Sequence, residues 1–212
     1  MKELNTHQNY YMPPVPFSRD EWYYVLDSDG DLYEAEELAR DGRPVRGTHL
    51  YLIHYPDGRM VQPVPAREMA ALGAPVCDGD VIAFPEVDFG ARTISICRYH
   101  TLDGTLSREY VLSLDEVRDC YNLLLHGSPL FLSRQPNDGS FEILWPQRKT
   151  FAVAPRETLN LRDGEKLYFS TWYEDPDYRE ETIVRSFADG RVLESFPGDV
   201  HLMPDGQLWH LF

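Results

Sequence analysis

Aspartate–glycine pairs are the feature that most restricts what this chain can fold into. Nine of its fourteen glycines directly follow an aspartate, at positions 30, 42, 58, 79, 104, 139, 164, 190 and 206. Asp-Gly readily adopts the positive φ angles that tight turns between antiparallel strands require. Apolar or alternating runs of strand length flank five of the pairs, those ending at Gly58, Gly104, Gly139, Gly190 and Gly206. The pattern therefore predicts a succession of β-hairpins.

The predicted fold class is mainly β, with antiparallel hairpins packed as a sandwich or a partly open barrel and two or three short helices. A small β-propeller is the alternative, because four-stranded blades also arrive as successive hairpins. Helices are predicted over residues 33–40 and 66–72, each closed by a glycine. A third begins at the capping box of Ser113 and Glu116 and continues to Leu124 at helical spacing.

The expected organisation is an N-terminal proline-rich arm, residues 1–18, followed by one globular domain, residues 19–212. Within that domain the sequence around Asp78-Gly79 parallels the sequence around Asp163-Gly164, and the next hairpins follow at a nearly constant offset. The parallel predicts an internal duplication of one β unit, at 76–112 and 161–196. Chance similarity between hairpin sequences is the alternative.

Charge restricts the kinds of partner that this protein is expected to bind, and cysteine content indicates its cellular compartment. The chain has 20 basic and 35 acidic side chains, a net charge of −15, and such a surface repels nucleic acids. No apolar run approaches the length of a membrane span, so neither nucleic acid nor membrane is an expected partner. Three cysteines without paired spacing favour reduced thiols, which predicts a soluble cytoplasmic protein.

The run from Asp27 to Asp31 raises the question of calcium binding, because alternating aspartates can supply several oxygen ligands. Its glycine falls at the fourth place instead of the sixth place of an EF-hand loop, and Leu38 stands where that loop has its last glutamate. The favoured interpretation is a turn whose aspartates accept backbone N–H groups and start the next helix. No metal and no cofactor is predicted.

Two histidines, His201 and His210, lie on the two arms of the last predicted hairpin and are expected to face each other across it. Two histidines alone make an incomplete metal site. Both are therefore interpreted as surface or hydrogen-bonded side chains.

The best surface candidate is the run 171–181, which mixes aromatic and acidic residues. Trp, Tyr and Arg commonly anchor interfaces, and loops held by a scaffold commonly carry function. The predicted partner-binding residues are Trp172, Tyr173, Asp175, Asp177, Tyr178 and, from the corresponding run at 85–92, Phe89. The alternative is that Trp172 and Tyr173 end a strand and pack inward, leaving only an acidic turn.

The sequence predicts a non-catalytic interaction or binding module for an unidentified basic protein or peptide. It contains no G-x-S-x-G, H-E-x-x-H, Walker or dinucleotide-binding motif, and no catalytic residue is identified. The alternative is a carbohydrate-binding or hydrolytic enzyme with a carboxylate-lined β cleft. A functional carboxylate pair cannot be recognised among 35 acids. The sequence leaves the oligomeric state open.

Overall fold

The computed structural model describes residues 3–6 and 10–212. Strands hold 48% of the residues and helix 6%, which confirms the mainly β prediction. The chain forms two compact units, the first ending at Leu125 and the second running from His126 to Phe212. Neither described helix has the length and apolar character needed to cross a membrane.

Among its described residues, the first unit contains one α-helix, one 3₁₀ turn and eight complete strands. They are β1 (Trp22–Asp27), α1 (Leu32–Arg40), β2 (His49–His54), β3 (Met60–Val61), β4 (Ala70–Leu72), β5 (Val76–Asp78), β6 (Val81–Asp88), β7 (Thr93–His100), β8 (Leu106–Ser113) and the 3₁₀ turn Leu114–Glu116. A three-stranded antiparallel sheet has the order β1-β2-β3. A five-stranded sheet has the order β4-β6-β7-β8, with β5 also paired to β6.

The remaining strands begin with β9, which runs across the boundary between the units. They are β9 (Leu123–His126), β10 (Phe131–Arg134), β11 (Ser140–Trp145), β12 (Lys149–Ala152), β13 (Thr158–Asp163), β14 (Lys166–Tyr173), β15 (Arg179–Ser186), β16 (Val192–Pro197), β17 (Asp199–Leu202) and β18 (Leu208–Leu211). They form two four-stranded sheets, β12-β11-β10-β9 and β13-β14-β15-β16, and the two-stranded sheet β17-β18.

Asp-Gly pairs form the connection of seven hairpins, two more than the sequence predicted. Gly79 and Gly164 join β5 to β6 and β13 to β14, and all seven turn glycines have positive φ angles. In the five longer turns the aspartate Oδ1 accepts the N–H of the residue two places on; these aspartates are Asp57, Asp103, Asp138, Asp189 and Asp205. Each turn therefore stabilises itself locally, which is why the hairpins were predictable.

Each unit has its own apolar core. In the first, Leu50 and Leu52 of β2 pack with Ile82 and Phe84 of β6. In the second, Phe131, Phe141 and Phe169 pack with Leu167, and the Phe141 and Phe169 rings meet edge to face with centroids 5.2 Å apart. Burial of these alternate strand residues fixes which face of each sheet is exposed.

One of the three helix predictions is confirmed. Helix α1 begins after Asp31, whose Oδ1 accepts the N–H groups of Tyr33 and Glu34 at 2.9 Å, while Glu34 returns a bond to the Asp31 N–H. Its last residue is Arg40, Asp41 is the C-cap, and Gly42 follows with φ +68°. These are the capping and termination signals that the sequence displays.

The helix predicted after Ser113 is wrong beyond its first turn. The capping box forms, but only Leu114–Glu116 is helical and Val117 is extended. The Cys120 N–H donates to the Glu36 carboxylate of α1 instead of a carbonyl of its own turn. A partner 84 residues away in sequence therefore replaces the helical hydrogen bond.

The helix predicted over residues 66–72 is also wrong. Met69 has φ +57°, which ends any helical path, and Ala70–Leu72 is strand β4, paired with Glu86–Asp88 of β6. All three β4 residues are buried. Pairing with a buried strand outweighs the helix propensity of this alanine-rich run.

The chain forms small antiparallel sheets that follow one another in sequence, which is the strand pattern of a four-blade β-propeller. A small propeller is the alternative predicted from the sequence within the mainly β class. Residues 76–112 and 161–196 each supply four consecutively paired strands. Any blade of this kind has that strand order, so the duplication stays a prediction.

Residues 13–18 of the proline-rich arm are docked onto the first unit, and Val15 and Phe17 pack with its core. Val15 is 1% exposed, and its N–H donates to the Trp22 carbonyl at 2.8 Å. Pro14 forms a β-bridge with Tyr23, and the Cys77 N–H donates to the Pro16 carbonyl. The part of the predicted arm at residues 1, 2 and 7–9 lies outside the described residues.

Candidate functional site

The aromatic and acidic run chosen from the sequence lies at the tip of the β14–β15 hairpin. In β14 the side chains of Leu167, Phe169 and Thr171 are buried, so Trp172 points to the opposite face, where it is 41% exposed. Tyr173 is half-buried and Tyr178 is 66% exposed. The inward-packing alternative is therefore wrong for Trp172. We call residues 172–181 the acidic tip.

Carboxylates dominate the charge of the acidic tip. Its acids are Glu174, Asp175, Asp177 and Glu180, all exposed, and the half-buried Glu181. Arg179 is its one basic residue. The strand register places Glu180 directly opposite Trp172, so a carboxylate and an exposed indole lie side by side on one face.

Each aromatic ring of the acidic tip contacts a polar or charged side chain of the same chain. The guanidinium of Arg179 lies 4.3 Å from the centroid of the Tyr173 ring. The Tyr178 hydroxyl donates a hydrogen bond to the Glu180 carboxylate, and this bond raises the pKa of Tyr178 above its ordinary value. The Cζ atom of Arg156 lies 4.7 Å from the centroid of the Trp172 ring.

Arg156 is carried by a tight turn between β12 and β13. The Glu157 N–H donates to the Ala154 carbonyl at 3.1 Å, and the Ala154 N–H donates back to the Glu157 carboxylate. That carboxylate is buried and accepts two hydrogen bonds of 2.8 Å from the Arg185 guanidinium. The turn is therefore anchored to β15, the strand that also carries Glu180.

Arg156 is a residue of this site that the sequence does not single out. No motif singles it out, since Ala154-Pro155-Arg156-Glu157 resembles any polar turn. Arg156 has φ +74°, an angle that non-glycine residues seldom adopt and that often marks functional positions. Only the fold brings it over Trp172, sixteen residues further along the chain.

Phe89 lies in the first unit, directly after β6, and is 7% exposed. Its N–H donates to the Met69 carbonyl at 2.8 Å. A buried ring offers little surface to a partner. The other five predicted contact residues lie together in the acidic tip.

The aspartates of residues 27–31 have partners within the protein. Arg46 donates to Asp27 at 3.0 Å and to Asp29 at 2.9 Å, while Asp31 caps α1. In the described part of the chain, no group of three His, Cys, Asp or Glu residues is placed to hold a metal ion. The Arg46 guanidinium therefore pairs with two of the carboxylates that the calcium hypothesis would use as ligands.

The histidine pair expected on the last hairpin does not face across it. In the observed register His201 pairs with Trp209, and His210 pairs with Val200, so the two imidazoles point to opposite faces. His210 contacts the Pro197 carbonyl through Nε2 at 2.6 Å and the ring of Phe196.

His126 is a histidine whose surroundings within the second unit are apolar. Its ring stacks on Phe131, with centroids 4.6 Å apart, and its Nε2 lies 2.7 Å from the Ser133 hydroxyl. Burial lowers the pKa of His126 to about 4. Ser133 is 2% exposed and His126 is half-buried against Phe131, and we assign the pair a structural role.

An open depression of about 350 Å³ lies beside α1 in the first unit. It is lined by the carboxylates of Asp29, Glu34, Glu37 and Asp41 together with two arginines and Leu38. A sugar-binding cleft commonly adds aromatic rings that stack on the sugar, and none lines this depression.

No protein-family model and no curated protein sequence matches this chain. Among solved structures, prolyl oligopeptidase B from Galerina marginata bound to a 35mer substrate is similar at a TM-score of 0.47 and 8% identity, over 91% of this chain and 29% of that one. A putative 6-phosphogluconolactonase from Bacteroides uniformis follows at 0.43 and 14%, over 92% and 62%. This chain spans less than two thirds of either, and likeness at this level supports no functional argument.

Proposed function

We propose that this protein is a non-catalytic interaction module that binds a basic protein or peptide through the acidic tip. The observation that supports this most is the position of Trp172, an exposed indole with the Glu180 carboxylate opposite it and four more acids around it. Exposed aromatic rings supply contact area, and surrounding carboxylates select a partner of opposite charge.

The compartment that we propose is the cytoplasm. All three cysteines, Cys77, Cys97 and Cys120, are free thiols, which is typical of proteins in a reducing compartment. Burial raises the pKa of the Cys77 thiol to about 11 and also raises that of Cys97, so both resist oxidation.

The alternative, a carbohydrate-binding or hydrolytic enzyme, requires a carboxylate pair in a cleft with rings that stack on a sugar. The depression beside α1 has carboxylates without rings. The acidic tip has rings and carboxylates at a hairpin end, and neither of the described depressions includes its residues. The observations therefore favour the binding module.

The direct test is a binding titration with peptides of opposite charge. A fluorescein-labelled peptide of alternating arginine and glycine is titrated with the protein and followed by fluorescence anisotropy. We expect saturable binding that weakens as NaCl rises from about 50 to about 300 mM, because salt screens exposed charges. The matched glutamate–glycine peptide is expected not to bind.

Two tryptophan variants locate the binding site. Trp172→Ala is expected to weaken binding of the arginine–glycine peptide. Trp209→Ala removes an indole that is 51% exposed on β18, and we expect it to leave the affinity unchanged. Melting curves of both variants verify folding. Equal affinity of Trp172→Ala and the parent protein would contradict the proposed site.

A further inference from the structure

Arg156 and Trp172 form a cation–π contact within the chain. An arginine of a basic partner could form the same kind of contact with an exposed indole. The guanidinium lies 4.7 Å from the centroid of the indole ring, within cation–π distance. Arginine stacks on aromatic faces through its planar guanidinium, which the compact ammonium group of lysine cannot do. The free protein therefore already shows which chemical group the exposed ring accepts.

Arg156 is weakly held in this position. In the part of the chain that the structure describes, the Arg156 guanidinium contacts the Trp172 ring, and no carboxylate lies within ion-pair distance of this guanidinium. The residue is exposed, and its backbone has φ +74°. By contrast Arg185 of β15 donates two hydrogen bonds to a buried carboxylate. Displacing the Arg156 side chain from Trp172 breaks no ion pair.

We propose that Trp172 is the contact for an arginine side chain of the partner, and that Arg156 occupies this ring in the free protein until the partner displaces it. This inference rests on the proposed function of the acidic tip. Arg156 stacks on the ring without an ion pair to Glu180, the residue directly opposite Trp172. An incoming arginine that approaches from the Glu180 side is expected both to stack on the ring and to donate a hydrogen bond to that carboxylate, which gives it an advantage over Arg156. Arg156 thereby acts as an internal competitor that lowers the apparent affinity.

The test compares two charge-matched variants in the titration with the arginine–glycine peptide. Arg156→Gln removes the competitor, and we expect it to tighten binding about two- to fivefold, the factor that corresponds to an exposed cation–π contact. Arg191→Gln removes the same charge from the turn directly before β16, where the Arg191 guanidinium lies 3.8 Å from the Asp189 carboxylate. We expect Arg191→Gln to tighten peptide binding less than Arg156→Gln does, because it changes only the net charge of the protein and not the contact at Trp172.

A double variant separates competition from charge. In the Trp172→Ala background, Arg156→Gln is expected to tighten binding no more than Arg191→Gln does, because the ring for which the two guanidinium groups compete is gone. The lysine–glycine peptide is expected to bind the parent protein more weakly than the arginine–glycine peptide.

Each failure has its own meaning. If binding depends on Trp172 but Arg156→Gln tightens it no more than Arg191→Gln, the competitor inference is overturned and the proposed function stands. If the arginine–glycine peptide does not bind, or binds equally to the Trp172→Ala variant, both are overturned.

Discussion

Gly164 and Gly190 show how one residue type serves different purposes in the same unit. Both follow an aspartate at a hairpin turn, with φ of +55° and +72°. A Cβ added at Gly164 would meet nothing within 4 Å, whereas one at Gly190 would lie 2.1 Å from the Phe151 ring. The first glycine supplies only a backbone angle, and the second also makes room for an aromatic ring.

We therefore expect Gly164→Ala and Gly190→Ala to differ in stability. Gly164→Ala incurs the left-handed backbone penalty, about 1 kcal/mol. Gly190→Ala adds the overpacking of Phe151, a further cost of about 1–3 kcal/mol. Chemical denaturation of the two variants measures the difference. Equal losses of unfolding free energy would show that Phe151 moves aside without cost.

His126 makes stability depend on pH above the range in which the carboxylates titrate. Its pKa is about 4 in the folded protein against about 6.5 in an unfolded chain. Between these values the unfolded chain binds more protons, so stability is present above pH 6.5 and is lost as the pH falls. We expect a loss of about 2 kcal/mol between pH 7 and pH 5.

The measurement is the free energy of unfolding at both pH values for the parent protein and for His126→Gln. Glutamine keeps a hydrogen-bonding group for Ser133 but does not titrate, so the variant is expected to lose less stability than the parent on acidification. An identical pH dependence in the two proteins would rule out His126 as its cause.

Among the elements, the hairpins and α1 could be predicted from sequence because their signals are local. Asp-Gly turns and the Asp31–Glu34 capping box use bonds between residues a few positions apart. The helix expected after Ser113 failed because Cys120 bonds to Glu36, and β4 replaced a helix because it pairs with β6. Such distant partners leave no trace in a single sequence.

The turn that carries Arg156 depends on the buried pair Glu157–Arg185. The Glu157 carboxylate is fully buried and has two 2.8 Å hydrogen bonds to the Arg185 guanidinium. Glu157→Gln leaves that guanidinium without its counter-charge, and we expect a loss of about 3–5 kcal/mol in unfolding free energy.

The control for that prediction is the exposed pair Lys166–Glu194, 3.0 Å apart. Glu194→Gln in β16 is expected to change stability little, because solvent screens exposed pairs. Urea denaturation of both variants provides the comparison. A Glu157→Gln protein as stable as Glu194→Gln would mean that the pair does not anchor the turn.

At the scale of the whole molecule, the net charge of −15 opposes folding through repulsion among the excess acids. The exposed ion pairs contribute little each, so we expect screening of the repulsion to outweigh their weakening. The melting temperature is predicted to rise as NaCl increases from about 10 to about 200 mM. A falling melting temperature would show that attractive pairs outweigh the excess charge.

The candidate site, like the fold, was predictable where its signals are local in sequence and not where it depends on distant residues. Composition alone identified the acidic tip, and the alternation of β14 fixes Trp172 on the exposed face once Phe169 is buried. The contact with Arg156 required the turn between β12 and β13 to lie beside that strand. The burial of Phe89 likewise depends on packing within the first unit.

The most direct test of the central claim is an NMR titration of the ¹⁵N-labelled protein with the arginine–glycine peptide. We expect the largest chemical-shift changes at the Trp172 indole N–H and at the backbone amides of residues 173–175 and 177–181. The Trp209 indole, also exposed, is expected to stay unchanged. Shift changes centred on the depression beside α1 or on Trp209, with the acidic tip unaffected, would contradict the account.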